Sequence, residues 1–87
     1  MPNVFIPAQL RGLTGGKAEV DANGATVREL IAELETRFPE LRERLTANGE
    51  LSPALQVSID GVFSRRGLDA TLGPHSEVHF LPVFGGG

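Results

Sequence analysis

The sequence predicts an α+β domain, one mixed β-sheet with a single main helix packed across it, over residues 1–83, followed by a flexible glycine tail over 84–87. Three observations predict it. Thr26-Val27-Arg28-Glu29 has the form of a capping box, and Val27, Leu30, Ile31, Leu34 and Phe38 then recur at three- and four-residue spacings, one apolar stripe of a helix. Further on, Leu55, Val57 and Ile59 alternate with Gln56, Ser58 and Asp60, the period of two of a strand with one buried face. Finally, the chain runs from a regular strand pattern into PVFGGG, three terminal residues that can neither pack nor hold a conformation.

Each element follows from local chemistry. Asn3 to Ile6 is β-branched and aromatic, and Pro7 closes it because proline brings no N–H to a ladder. Ala8 to Leu13 leads into the flexible turn Thr14-Gly15-Gly16, and Lys17 to Val20, with Ala18 and Val20 alternating against charged neighbours, returns as the second arm of a hairpin. Asp21 to Gly24 is a second turn before the capped helix, on whose outer side Glu33 and Arg37 are spaced as an i,i+4 ion pair. Pro39 ends that helix, since the residue before proline leaves the α region, and opens a short second one with Leu41 and Leu45 on its buried side. Thr46 to Pro53 reads as a polar loop. After the strand at Leu55, Asp60-Gly61 makes a tight turn into Val62-Phe63. Ser64 to Ser76 is punctuated by Gly, Pro and Asp, with Leu68 and Leu72 as anchors, and Glu77 to Pro82 is the final strand with Val78 and Phe80 on one face. Two strands, a crossover helix and further strands suit a β-grasp (ubiquitin-like) sheet whose first and last strands lie side by side; a ferredoxin-like sandwich fits the same pattern.

Composition narrows the function. Eighty-seven residues form one domain, and with no cysteine there is no disulfide, no thiol nucleophile and no cysteine-based zinc site. Eight Lys and Arg are scattered among eleven Asp and Glu for a net charge of −3, which argues against nucleic acid as a partner. The N-terminus has no basic region followed by an apolar run, and no segment approaches membrane-spanning length, so a cytoplasmic location away from membranes is expected.

The tail is the sharpest signal. With 11 glycines in 87 residues, three in succession fall at any fixed place by chance roughly once in 500. Gly85, Gly86 and Gly87 carry no Cβ, so the chain there can enter a channel too narrow for side chains. Fully extended, Pro82 to Gly87 spans about 20 Å, enough to place the terminal carboxylate in another protein's active site while the domain stays outside. A frayed terminus is the plain alternative.

With these segments in view, the sequence resembles the ubiquitin-like sulfur-carrier family, MoaD/ThiS. The likeness covers almost the whole chain: FIPAQLR (Phe5 to Arg11) with Thr14-Gly15-Gly16, the helix block from Gly24 to Leu45, VSIDG (Val57 to Gly61), and EVHFLPVFGG (Glu77 to Gly86). It is most similar to the branch that carries sulfur for cysteine synthesis, ahead of the molybdopterin branch; the shorter thiazole carriers lack the loop before VSIDG. Two departures stand out. Phe84 is followed by three glycines rather than the family's usual two, which leaves open whether Gly87 is the reacting residue or is trimmed, and the turn before the last strand reads GPHSEV.

A carboxylate with a pKa of about 3.5 is ionised and inert to nucleophiles at neutral pH, so it needs activation. The resemblance implies that a ubiquitin-activating-type adenylyltransferase joins the Gly87 carboxylate to AMP and that a sulfur donor displaces AMP to leave a thiocarboxylate. It implies a protein cosubstrate rather than an enzyme, binding no cofactor itself, with ATP and Mg²⁺ belonging to the activating partner. The sulfur acceptor would be a pyridoxal-phosphate cysteine synthase-like enzyme or the large subunit of molybdopterin synthase. Docking is expected on Phe84 at the tail's root, on Pro82, and on Phe5, which points away from Val4 and Ile6; Phe5 covering an apolar sheet edge is the structural alternative. A ubiquitin-like modifier forming amide links to lysine, or a non-covalent interaction domain, are the competing readings.

Other patterns carry less. His75 and His79 are four apart but on a strand pattern with no third ligand, so no metal is expected. Arg65-Arg66 reads as a solvated pair, Glu40 and Glu43 sit among arginines, and Gly12, Gly15 and Gly16 precede no helix and no Lys-Ser/Thr, unlike a phosphate loop. No Ser-His-Asp arrangement is justified.

Overall fold

The computed structural model describes residues 1–83. Its sheet is built around the chain's last strand. Strand β1 (Asn3–Phe5) turns back through a 3-10 helix (Ala8–Thr14) to β2 (Glu19–Asp21), helix α1 (Val27–Arg37) crosses over, and a 3-10 turn (Pro39–Leu41) runs into the short α2 (Arg42–Leu45). A small hairpin of β3 (Thr46–Ala47) and β4 (Glu50–Leu51) precedes β5 (Leu55–Ile59) and β6 (Val62–Phe63), and a 3-10 turn (Gly67–Asp69) leads to β7 (Glu77–Pro82). The main sheet has the order β2-β1-β7-β5-β6. β7 pairs parallel with β1 and antiparallel with β5. This is the β-grasp arrangement, with the first and last strands adjacent as the sequence predicts, and the ferredoxin-like alternative falls.

The core is the seam between α1 and one face of that sheet. Val27, Leu30, Ile31 and Leu34 of the helix stripe are buried, with Phe38 partly so at its C-cap. Facing them, Val4, Val20, Val57, Val78 and Phe80 are buried from four neighbouring strands. Leu41 and Leu45 close one end and Leu68 and Ala70 the other, while Leu72 packs against the cluster from its margin. Phe80 and Ile6 are among the largest fully buried side chains, so β7 and the end of β1 anchor the cluster.

The helix start differs from the expected capping box by one residue. Glu29 N donates to Thr26 Oγ1 at 3.2 Å, as expected. The Glu29 carboxylate, however, accepts from Ala25 N at 3.0 Å, because Ala25 and Val27 are also drawn into a strand-like bridge in which Val27 N donates to the Ala70 carbonyl at 3.0 Å and Leu72 N to the Ala25 carbonyl at 2.9 Å. The Glu33–Arg37 ion pair is replaced as well. Glu33 accepts from Asn23 N and Arg37 donates to the Asp21 carbonyl, since the irregular segment leaving β2 offers backbone groups that need partners more than two exposed side chains need each other.

Two loops acquire structure that the sequence reading gave them no credit for. Ala8 to Thr14 winds as 3-10 helix and buries Leu10 and Thr14, and Ala18, expected to alternate inward with Val20, is exposed. Thr46 to Pro53, expected to be a polar loop, contains the β3–β4 hairpin, turned at Asn48 and Gly49 with φ of 54° and 76°. Those left-handed values suit an Asn-Gly turn between antiparallel arms. Asp60 and Gly61, with φ of 51° and 85°, make the same kind of turn between β5 and β6.

Gly24 is the tightest approach in the fold: a Cβ there would lie 2.6 Å from Leu30 N and 2.8 Å from Leu30 Cα. Helix backbone cannot yield as a side chain can. Gly24→Ala is therefore expected to destabilise the domain by about 1–3 kcal/mol. Gly12→Ala, with nothing within 4 Å of its Cβ, should change stability by less than about 0.5 kcal/mol, both read from urea denaturation midpoints.

Candidate functional site

The site is assembled where β7 leaves the sheet. Six residues of β7 are held between two partners, and Val83 N donates to the Ala54 carbonyl at 2.8 Å, so the ladder runs one residue beyond the strand. The glycine tail therefore begins at the rim of the most heavily paired strand. Phe84, Gly85, Gly86 and Gly87, the expected docking aromatic and reactive terminus, lie outside the described residues.

Because side chains alternate along a strand, the face turned away from α1 carries its own rows. One row crosses the sheet through Glu19, Phe5, His79, Ser58 and Phe63. Within it the Phe5 and His79 rings stack, centroids 4.0 Å apart and planes within 4°. Phe5 is thus half-buried, covered on one side by an imidazole, rather than the freely exposed aromatic the sequence suggests. It still reaches solvent beside the tail. Phe5 and Pro82 line one shallow groove with Pro7, Arg11, His79 and Leu81, so two of the three expected docking residues meet at the tail's root.

Arg11 is fixed in that groove. Its Nε donates to the Ile6 carbonyl at 3.0 Å, which lays the guanidinium along the end of β1. The turn behind it is held by Thr14, fully buried, whose hydroxyl lies 2.8 Å from the Lys17 carbonyl and 3.1 Å from that of Arg11. Gly15 and Gly16 take φ of 66° and 85°, which a side chain would resist. The Thr-Gly-Gly segment is therefore the clamp that returns the chain from Arg11 to β2.

Carboxylates gather at the opposite end of the same face. Glu77 Oε1 is 3.6 Å from His79 Nε2, and Asp60 accepts from Glu77 N at 2.8 Å and from Ser76 Oγ at 3.1 Å. Asp21 accepts from the Asn3 amide at 3.0 Å. Sequence reasoning missed two further surface residues, Val62 and Phe63, 69% and 57% exposed on the edge strand β6. The Asp60-Gly61 turn that places them was visible in the sequence; that they stay uncovered depends on nothing packing beyond that edge.

Among the described residues no cluster of three or more His, Asp or Glu is placed to hold a metal ion, and no helix is long and apolar enough to cross a membrane. His75 is exposed in the loop before β7, Arg65 and Arg66 are exposed after β6, and Glu40 and Glu43 are exposed around the second helix.

Comparison with known proteins agrees with this geometry. The model of the ThiS family matches residues 4–87, a span that includes the glycine terminus. The sulfur carrier protein CysO of Mycobacterium tuberculosis is 32% identical over 89 residues, covering 97% of this chain and 96% of the relative. A chain in the crystal structure of the Amycolatopsis orientalis BexX/CysO complex superimposes with a TM-score of 0.92 at 34% identity, covering all of both chains. The solution structure of small archaeal modifier protein 1 from Methanosarcina acetivorans follows with a TM-score of 0.83 at 25% identity, covering 99% of this chain and 95% of that one.

If Thr14 is the clamp described, Thr14→Val should cost about 1–3 kcal/mol by leaving buried carbonyls unpaired while keeping the volume. Chemical denaturation gives the loss, and amide exchange at Gly16 and Lys17 should accelerate with it.

Proposed function

Because the chain belongs to the ThiS family, we propose that it is a sulfur carrier whose terminal glycine is activated by a partner enzyme and then holds sulfur as a thiocarboxylate. The observation that carries this reading is the unbroken match from residue 4 through the glycines at 85–87, at an end of the chain that β7 brings out at the sheet's rim. The Gly87 carboxylate attacks the α-phosphorus of ATP in the partner's site and expels pyrophosphate. A sulfide-equivalent nucleophile then adds to the acyl carbon, the bond to AMP breaks, and the thiocarboxylate and AMP are released. ATP and Mg²⁺ act in the partner, an adenylyltransferase of the ubiquitin-activating type. The carrier supplies a slender tail and a recognition surface.

That surface is the groove at the tail's root, with Phe5 and Pro82 in its lining and Phe84 next along the chain. An enzyme that draws in the tail must come to rest against it, because the tail is only four residues beyond Val83. The likeness to CysO supports cysteine synthesis as the destination, through a pyridoxal-phosphate enzyme that presents an activated serine; the large subunit of molybdopterin synthase is the alternative acceptor. The likeness to small archaeal modifier protein 1 favours a second reading, in which the same activated glycine forms an amide with lysine.

Intact mass distinguishes these. Incubation with ATP, Mg²⁺, sulfide and the host's adenylyltransferase should add about 16 Da, oxygen replaced by sulfur, and an alkylating thiocarboxylate probe should then react. Removal of Gly86 and Gly87 should abolish the gain while the circular dichroism spectrum stays the same. A stable adduct on lysine that survives reducing denaturation would favour the modifier reading, and no mass change with a competent partner would leave a binding module.

A further inference from the structure

His79 sits at the centre of the docking face and has no part in the tail chemistry. It is the ionisable member of the row that includes Phe5 and Phe63, its ring stacked on Phe5 at 4.0 Å and its side chain 35% exposed. We propose that His79 makes docking proton-linked: the tail-activating enzyme binds the carrier whose imidazole is neutral, and binding expels the proton. This inference rests on the reading of the outer face as the docking surface.

The surroundings set the sign. In the free domain Glu77, 3.6 Å away, favours the imidazolium, as do Glu19 on the far side of Phe5, and Asp60 and Asp21 at the same end of the sheet. A cation stacked on the Phe5 ring is favoured further. Arg11, across the groove, is the one opposing charge facing it. An enzyme laid over Phe5, His79 and Leu81 strips water from the exposed part of the ring, and loss of water penalises the charged form. The occupant is the activating enzyme because the groove is continuous with the root of the tail it must admit. A group protonated in the free carrier and neutral in the complex lowers affinity as pH falls through the imidazole range, and leaves it undiminished above that range.

The test is the dissociation constant of the full chain for the host's purified adenylyltransferase without ATP, by calorimetry between pH 6 and pH 8. The wild-type constant should rise roughly threefold or more from pH 8 to pH 6, and His79→Phe, which keeps a ring on Phe5, should flatten the difference between carriers. His79→Lys, charged throughout, should bind weakly at both ends. Equal pH dependence in wild type and His79→Phe would overturn the inference, because the linkage would then lie in the partner. Phe5→Asp separates the two levels. If it leaves binding intact, the docking face itself is misassigned and both readings of it fall; if it abolishes binding while His79→Phe tracks wild type, the proton linkage alone falls.

Discussion

The pairing of β7 on both its edges is the constraint on which the rest of the structure depends. A strand of six residues is bonded to β1 on one side and β5 on the other, and its inward residues Val78 and Phe80 are almost wholly removed from water. Parallel pairing of β1 with β7 obliges the chain to close through nearly its whole length, from Asn3 to Glu77. Helix α1, the β5–β6 hairpin and the intervening turns occupy that closure. Contacts so far apart in sequence form late, so the sheet is completed only when its last strand docks. The segment that precedes the glycines is thus the spine of the sheet, and the tail is tied to the part of the domain that opens least readily.

The main elements were legible in the sequence because local and long-range requirements agree there. Val27, Leu30, Ile31 and Leu34 are spaced for a helix and find a buried face, and Leu55, Val57 and Ile59 are spaced for a strand and find the same core. Legibility failed where a polar segment was given structure by its neighbours. Asn48-Gly49 carries a hairpin signal, yet arms of two residues each offer no period to read, and they form because Ser52 N and the Leu45 carbonyl, 2.9 Å apart, close the loop. Similarly, Glu33 and Arg37 are spaced for each other but bond to the backbone leaving β2, a demand that exists only once α1 lies beside that strand.

The site was legible in kind and incomplete in place. Glycines at the terminus, and Phe5 alternating out of a strand whose neighbours point inward, are statements about side-chain presence and parity, which sequence contains. That Phe5 lies against His79 is a statement about register between strands 74 residues apart, which it does not. Nor could sequence alone turn Thr14-Gly15-Gly16 from a flexible turn into the clamp that holds Arg11 beside Ile6.

A carrier of this design faces a division of labour imposed by glycine. Three residues without side chains can be threaded into an active site, but they offer a partner little beyond backbone and a carboxylate, so they cannot by themselves distinguish this protein from any other glycine-ended chain. Discrimination must then come from residues outside the channel, and the only ones within reach of an enzyme holding the tail are those at the end of β7 and the row beside it. The core-facing side of β7 is committed to Val78 and Phe80 and cannot vary without loss of the fold. Its other side can. Phe5, His79 and Leu81, with carboxylates at one end and Arg11 at the other, are free of that packing duty. One strand therefore carries stability on one face and identity on the other, and the glycines that follow contribute reach alone.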